Sequence, residues 1–284
     1  MSILDRVRSC MRRDLTRFRP FLVGAARVGR VRADFADTLG RFPAAFQVAG
    51  DAVRLAPELA DFDSRSQAVD GVLRRLRDDG MVAGWREEAF AVATSFHGPP
   101  LFQIERAATP LFGVLAYGVH VIGMVGAGEA TKLWVARRSR LKAVEPGKLD
   151  HLANGGQPIG LSPRDNLIKE CAEEAAIPAA LAGTARPASV VSYLFEDAGG
   201  LRDEINFVFD LELPANFMPR NLDGEVEEFQ IWPIRQVIEV LESSDAFLYD
   251  VGVGLADFLI RRGWLGPEHP DYLEILHGVR SRLA

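Results

Sequence analysis

The sequence predicts an α+β protein built from a smaller and a larger part. From about Ile104 onward, strand-like runs alternate with helical segments, which is typical of a mixed sheet flanked by helices. Before that point the runs are shorter and form a small α+β pattern of their own. The 284 residues, 48% of them hydrophobic, suffice for one large domain or two modest ones. We therefore expect a small N-terminal domain over residues 1–105 and a larger domain over residues 106–284.

The N-terminal part begins with an arginine-rich stretch, residues 1–19, for which we predict an amphipathic helix. A short strand pair and a helix are expected next. Gly50 and Asp51 predict the turn of a hairpin, because both residue types favour tight turns. Apolar residues at helical spacing then predict a helix that ends at Gly80. A strand is expected near residues 85–94, and residues 95–102, with a glycine and paired prolines, are the best linker candidate.

The C-terminal part contains one stretch, residues 107–128, that has no charged side chain and is long enough to cross a bilayer. Its five glycines, its proline and the strand-like run that follows fit a buried hairpin better. No internal repeat interrupts this part. The predicted strands lie at 113–125, 131–137, 188–195, 203–212 and 225–232, and the predicted helices at 163–176, near 251–263 and near 270–283.

Composition argues against several classes of function. The formal net charge of −6 disfavours a dedicated nucleic-acid binder. The N-terminal residues show no apolar segment followed by a cleavage site, so the sequence does not predict export. The two cysteines, far apart in the sequence, suit a reducing cytoplasm better than a disulfide framework. We therefore expect a cytoplasmic protein without nucleic-acid or membrane partners, and expect the arginine-rich start to dock on the acidic remainder of the chain.

The helix predicted at 163–176 concentrates negative charge on one face. Glu170, Glu173 and Glu174 stand at positions i, i+3 and i+4, which share a face of an α-helix. Clustered carboxylates are hard oxygen ligands that suit Mg²⁺ or Mn²⁺, and such a metal can neutralise a diphosphate and polarise a bound water. Gly155 and Gly156, just upstream, can bring the backbone close to a phosphate or a metal. The alternative is an acidic face that is simply solvated.

The spacing of these residues resembles the Nudix box, G-x5-E-x7-R-E-U-x-E-E-x-G-U, where U is a bulky aliphatic residue. The box glycine falls on Gly155, and Lys169 takes the arginine position. The Glu-x-x-Glu-Glu core of the box is present as Glu170, Glu173 and Glu174. In the family this core supplies metal ligands, so the resemblance implies catalytic or metal-binding roles for these three glutamates, for Lys169 and for Gly155, with Mg²⁺ as the metal and Mn²⁺ as the alternative.

Three positions depart from the box. Lys169 keeps the positive charge of the arginine but loses its fork geometry. Leu161 replaces the first glutamate, which in the family mainly has a supporting role, and Ala176 replaces the late glycine. The pattern is therefore a relaxed form of the box, and its metal-ligand core is complete.

From about Arg19 onward, nearly the whole chain is similar to the Nudix subfamily that is fused to, or named after, thiamine pyrophosphokinase. That subfamily carries a small extra domain in front of the Nudix domain. The resemblance implies a Nudix fold, a mixed β-sheet sandwiched between helices, preceded by a small α+β domain. It also implies hydrolysis of damaged thiamine diphosphates, such as oxothiamine diphosphate, to monophosphates.

Further basic and acidic residues are candidates for contacts with the substrate. Arg137 and Arg138, at the end of a strand, and Lys148, just before the box, could hold a diphosphate or simply be solvated. In Nudix enzymes a late acidic residue often supplies a further metal ligand or base. Glu225 and Glu228 are such candidates, and strand alternation places them on opposite faces without selecting one. Gly156 completes the predicted substrate contacts.

The function we expect is a Mg²⁺-dependent hydrolase that cleaves a nucleoside- or cofactor-like diphosphate to a monophosphate. Oxidised nucleotides of the 8-oxo-dGDP type are an alternative substrate class. Isoprenoid diphosphate isomerase shares the fold, but residues 146–160 contain no cysteine for its chemistry. A non-catalytic binding module is favoured slightly by Leu161 and disfavoured by the complete glutamate set. The expected partner is a small organic diphosphate, and homodimer formation is left open.

Overall fold

The structure is a computed structural model that describes residues 1–142 and 144–282. Most of the predicted strands and helices are present with shifted ends, whereas the helix Ile234–Ser243 was not predicted. In chain order they are α1 (Ile3–Ser9), β1 (Phe18–Val23), β2 (Ala26–Arg32), α2 (Ala33–Leu39), β3 (Phe46–Ala49), β4 (Ala52–Leu55), α3 (Phe62–Asp78), β5 (Ala89–Val92), β6 (Phe102–Glu105), α4 (Thr109–Phe112), β7 (Leu115–Val125), β8 (Lys132–Arg138), β9 (Leu149–Asp150), β10 (Ala153–Gly156), α5 (Pro163–Ala175), α6 (Ala179–Ala182), β11 (Arg186–Asp197), β12 (Gly200–Glu212), β13 (Val226–Pro233), α7 (Ile234–Ser243), α8 (Tyr249–Arg261) and α9 (Tyr272–Gly278).

The elements from β1 to α4, residues 18–112, form what we call the N-terminal unit. Its four-stranded sheet has the order β2-β1-β4-β3, in which β1 and β4 run parallel. The predicted hairpin is confirmed, with Gly50 at its turn in the left-handed region (φ 61°) that glycine tolerates. Helix α3 buries one face through Val69, Leu73 and Leu76, as its spacing predicts. These side chains join an apolar cluster that continues as far as Ala116.

Two expectations for the N-terminal part are wrong. Residues 1–19 do not form one helix, because α1 ends at Ser9 and Asp14 caps a single 3₁₀ turn before β1. Residues 95–102 do not form a linker, because they connect β5 and β6, which pair as an antiparallel hairpin. Their glycine and prolines serve a turn within this hairpin. The boundary at residue 105 stays a prediction.

Helix α1 packs far from the N-terminal sheet. Ile3, Leu4 and Val7 share an apolar cluster with the buried side chains of α7, α8 and α9. The Arg6 guanidinium is buried and its Nε donates a 2.8 Å hydrogen bond to the carbonyl of Leu241 in α7. The first helix therefore closes against the last elements of the chain.

The main sheet has seven strands. Its central order is β11-β12-β7-β8-β13, with β10 on β7 and β9 on β8. Strands β7 and β12 run parallel, whereas the other pairs are antiparallel, so the sheet is mixed. The charge-free stretch forms α4 and then β7, a strand of this sheet. Strand β7 pairs with β8 as the predicted hairpin. Among the described helices, none is long and apolar enough to cross a membrane.

Both faces of the main sheet are covered by helices. Alternate residues of β7 point to opposite faces, because side chains alternate along a strand. Ile122 and Met124 belong to the apolar cluster with α1, α7 and α8. Val119 and Val121 belong to the cluster with α5. The expected fold class, a mixed sheet sandwiched between helices behind a small α+β unit, is confirmed.

Candidate active site

Helix α5 starts where the sequence predicts. The hydroxyl of Ser162 accepts a 3.1 Å hydrogen bond from the backbone N–H of Asp165, and Pro163 occupies the first turn. Leu167 and Cys171 are fully buried against the main sheet, which fixes the rotation of the helix. This rotation decides where the carboxylates of the next face are placed.

The acidic face of α5 is not a solvated surface. Glu170 and Glu174 are only 6% and 7% exposed, whereas Glu173 lies at the edge of the helix in solvent. The Lys169 ammonium lies 3.0 Å from Oε1 of Glu170 and 2.9 Å from Oε2 of Glu173. Burial raises the pKa of Glu170. Burial also opposes the charge of Lys169, but the carboxylates of Glu170 and Glu173 outweigh this effect and raise the pKa of Lys169.

Gly155 leaves room for the Glu170 carboxylate. A Cβ atom at position 155 would lie 2.1 Å from the Glu170 carboxyl carbon, a distance that no real contact allows. The box glycine is therefore needed because a carboxylate packs directly on the backbone of β10. Gly156 is needed for a similar reason, since its Cβ would lie 2.3 Å from the Phe90 ring of the N-terminal unit.

Glu174 is buried to the same extent as Glu170. The backbone N–H of Asn154 donates a 2.9 Å hydrogen bond to its Oε2 atom. Burial, with the nearby charges of Asp150 and Glu170, raises the pKa of Glu174 to about 8. A carboxyl group with a pKa this high ionises readily at neutral pH only when a cation binds beside it.

Glu174 belongs to a group of three carboxylates able to hold a metal ion. Its partners are Asp223 and Glu225, and the ligand oxygen atoms of the three lie within 4.8 Å of one another. Within residues 1–142 and 144–282 this is the one group of three or more potential ligands with that spacing. An all-carboxylate donor set fits a hard divalent cation such as Mg²⁺.

Asp223 was not among the residues expected from the sequence. It lies in the loop before β13, where Asn221 Oδ1 accepts hydrogen bonds from the backbone N–H groups of Asp223 and Gly224. Burial raises the pKa of Asp223. An Asn-x-Asp-Gly turn beside Glu225 was the local signal, but nothing local shows that this turn meets α5.

Of the other predicted substrate residues, Glu225 is one of the three carboxylates and Arg138 lies near them. Arg138 Nη1 lies 2.6 Å from Oδ2 of Asp150, next to the carboxylate group. Glu225 is held by Lys142 and by Arg86, whose Nη1 is 2.9 Å from its Oε1. Burial lowers the pKa of Lys142 to about 8.

Three predicted residues are not brought to the site. Arg137 and Glu228 face each other across 3.7 Å, with the Glu228 side chain 52% exposed. Lys148 pairs instead with Asp245, whose Oδ2 atom is 3.1 Å from its Nζ. No substrate contact follows from these positions.

A cavity of about 760 Å³ lies between the N-terminal unit and the main sheet. The three carboxylates do not line it, but Arg86 and Lys142, which pair with Glu225, do. The backbone of Asn154, Gly155 and Gly156 forms part of its wall, so the cavity reaches the strand that packs on Glu170. Aromatic side chains from both sides also line it, among them Phe35 and Tyr117. Six cationic and three acidic side chains complete the charged lining, namely Arg32, Arg86, Arg106, Arg138, Lys142, Arg202, Asp34, Glu204 and Asp250.

Comparisons with known proteins place this geometry in a family. The model of a family described as "Domain of unknown function (DUF4743)" matches residues 2–116. Nudix hydrolase 20, chloroplastic, of Arabidopsis thaliana is 37% identical over 98% of this chain and 77% of its own length. Nudix hydrolase 24, chloroplastic, of the same plant is 39% identical over the same shares.

Among solved structures, DR0079 from Deinococcus radiodurans is similar at 20% identity and a TM-score of 0.41, covering 56% of this chain and 92% of its own. The two plant relatives match nearly the full chain, and two of the three box glutamates, Glu170 and Glu174, are buried in it. The chain therefore belongs to the Nudix hydrolases, enzymes that act on pyrophosphate bonds.

Proposed function

We propose that this protein is a Mg²⁺-dependent hydrolase that cleaves a small organic diphosphate to a monophosphate and orthophosphate. The observation that carries the proposal is the cluster of three carboxylates, Glu174, Asp223 and Glu225. Two cations that pair with Glu225, Arg86 and Lys142, line a cavity whose charged side chains are mostly cationic. Carboxylates that can hold a metal and cations that can hold phosphate are the two requirements of metal-assisted diphosphate cleavage. Mn²⁺ is the alternative metal.

Glu174, Asp223 and Glu225 would hold the metal, and Gly155 shapes the backbone around Glu170. The bound metal would neutralise phosphate charge and make a water more acidic. Glu170 is our candidate for the base that accepts the proton of that water, because burial raises its pKa. Lys169 orients Glu170 and Glu173 through its two ion pairs.

The cavity supports a substrate with an organic group as well as a diphosphate. Its volume of about 760 Å³ exceeds what a diphosphate alone would fill, and the partly exposed Tyr117 offers a ring surface for stacking. Damaged thiamine diphosphates are the first substrate class we propose, on the strength of the sequence resemblance. Oxidised nucleoside diphosphates such as 8-oxo-dGDP are the alternative.

The test uses the purified full chain with Mg²⁺ or Mn²⁺ and a panel of diphosphates: thiamine, oxothiamine, 8-oxo-dGDP and ADP-ribose. Phosphate release and product masses are measured, with Glu170→Gln alongside the native protein. Metal-dependent release that Glu170→Gln strongly reduces would support the hydrolase and the role of Glu170. The substrate turned over with the highest kcat/KM would choose between the two classes.

Exposed Glu227, whose one ion pair among residues 1–142 and 144–282 is with Arg140 across 3.8 Å, provides the matched control. Glu227→Gln should keep native activity. No metal-dependent turnover of any diphosphate, together with tight metal-dependent binding of one of them, would contradict the hydrolase and favour a binding module.

A further inference from the structure

We propose that the N-terminal unit completes the active site by supplying two diphosphate-binding cations, Arg86 and Arg106. This inference rests on the proposed hydrolase function and assigns a role to a part of the chain that the box does not cover. Both arginines line the cavity, and both face groups of the main sheet or its loops.

Arg86 reaches the metal-binding group directly. Its backbone N–H donates a 3.0 Å hydrogen bond to Oε1 of Glu105, which fixes the segment between α3 and β5. Its guanidinium then extends to Glu225, with Nη1 2.9 Å from Oε1. The arginine thus lies in contact with a proposed metal ligand that is 139 positions away in sequence. A cation at that place would meet any phosphate bound by the metal.

Arg106 lies over β10, the strand that carries Gly155 and Gly156. Its Nη1 is 2.9 Å from Oε2 of Glu88, and its backbone N–H donates to the carbonyl of the same residue. A Cβ atom on Gly156 would lie 3.2 Å from Arg106 Nε, so the guanidinium covers the backbone of β10. Within the described part of the chain, Glu88 is the one side-chain partner of this guanidinium, which has five N–H donors.

The charge of the cavity lining points to an anionic ligand. The whole chain has a net charge of −6, yet twice as many cationic as acidic side chains line the cavity. A concave surface with this excess of positive charge concentrates anions. Arginine suits a phosphate in particular, because its planar fork offers two parallel hydrogen bonds. Arg86 joins this lining to the proposed metal ligand Glu225, and Arg106 joins it to the backbone of Gly156.

A purely structural role is the competing explanation, because both arginines also make ion pairs. The Arg86 and Arg106 side chains are about 40% exposed, at 40% and 41%, and exposed pairs contribute little to stability. A structural role would lower Tm and leave KM unchanged. A phosphate-binding role would raise KM and weaken inhibition by inorganic pyrophosphate, a probe with no organic group.

The experiment compares Arg86→Gln and Arg106→Gln with Arg75→Gln, an exposed arginine of α3 in the same unit. We expect KM for the best diphosphate and the inhibition constant of pyrophosphate to rise together, by about tenfold or more. Arg75→Gln should match the native protein. Arg106→Lys, which keeps the charge but loses the fork, should recover part of the loss. Mn²⁺ affinity without substrate should stay native in Arg106→Gln, because Arg106 contacts no proposed metal ligand.

KM and pyrophosphate inhibition within twofold of native in both glutamine variants of an active enzyme would overturn the inference, whatever happens to Tm. If the native protein hydrolyses nothing, the proposed hydrolase function fails separately. Pyrophosphate affinity measured by calorimetry with Mg²⁺ then decides the inference. Weaker binding in the two variants would support it, and unchanged binding would overturn it.

Discussion

Two segments of the molecule carry three glutamates each within a few residues, and the fold treats them differently. On α5, Glu170 and Glu174 are buried and Glu173 is at the edge. Around the start of β13, only Glu225 turns toward the site. Its neighbours Glu227 and Glu228 have side chains that are 46% and 52% exposed and that meet surface arginines at 3.8 and 3.7 Å.

The comparison shows that local charge density does not make a site. The helix sets three carboxylates on one face and packs that face beside β10, which removes water from two of them. Glu225 precedes β13 and turns inward, whereas Glu227 and Glu228 lie at a register shift of the strand and both remain in water. Exposed ion pairs of this kind typically contribute under about 1 kcal/mol. Desolvation therefore separates Glu170 and Glu174 from Glu227 and Glu228, whereas Asp223 joins the candidate ligands from an exposed loop.

The largest difference between the two segments should appear on substitution of Glu174. Glu174→Gln removes a buried ligand and should lower kcat/KM by at least about a hundredfold, together with metal affinity. Phosphate release and Mn²⁺ binding measure the two effects. Glu228→Gln, in the exposed segment, should stay within twofold of native. Equal losses in the two variants would mean that burial does not distinguish the segments.

Asp223→Asn sharpens the comparison from the side of the loop. Because Asp223 is the third member of the carboxylate group, we expect metal affinity to fall by about tenfold or more. The Mg²⁺ dependence of activity measures this change. Asp245→Asn, whose carboxylate is 76% exposed and pairs with Lys148, is the control and should leave the dependence unchanged. A native Mg²⁺ dependence in Asp223→Asn would remove this residue from the site.

Gly155→Ala tests the close packing of the buried segment. The added methyl would overlap the Glu170 carboxylate, so the free energy of unfolding should fall by about 1–3 kcal/mol. Gly71→Ala is the matched control, because a methyl at this exposed site of α3 meets no atom within 4 Å. It should be neutral or stabilise the helix by up to about 1 kcal/mol. Urea denaturation of both variants gives the two values, and equal stability would contradict the packing.

The last expected effect is the pH dependence of stability in the metal-free protein. The pKa of Glu174 in the folded state is about 8, above the ordinary value near 4.5, because the carboxyl group is buried. Its contribution to the free energy of unfolding is therefore full at low pH and is lost as the pH rises from about 4.5 to 8.

The glutamine of Glu174→Gln cannot ionise. We therefore expect the free energy of unfolding of the variant, relative to that of the native protein, to be higher at pH 9 than at pH 5. Denaturation of both proteins in chelator across this range measures the difference. A difference that shrinks as the pH rises would contradict the raised pKa. Saturating Mg²⁺ should restore the stability of the native protein at high pH, because the metal binds the ionised carboxylate.

Much of the main sheet and the position of α5 could be predicted from the sequence, because both depend on local periodicity and on one motif. The burial of Glu170 could not, since it depends on how Leu167 and Cys171 rotate the helix against the sheet. Asp223, Arg86 and Arg106 reach the site from distant segments, and no local pattern links them to the box. The end of α1 was misjudged because scattered arginines do not mark where an amphipathic face stops.

The subfamily, the compartment and the oligomeric state stay predictions. A cytoplasmic location was expected from the two cysteines, while the two plant relatives carry chloroplastic in their names. Neither point bears on the geometry of the site. Substrate turnover and the arginine variants address the subfamily most directly.

Helix α1 has a consequence for the way the chain is made. Its apolar side chains Ile3, Leu4 and Val7 are buried against elements from the other end of the chain, mainly α8 and α9. During synthesis α1 leaves the ribosome long before those helices exist, so its apolar face stays uncovered until almost the whole chain has emerged. The N-terminal unit can fold early, but the segment in front of it has to wait. A ribosome that stalls within α8 would therefore leave the apolar face of α1 exposed, a feature that chaperones and proteases recognise.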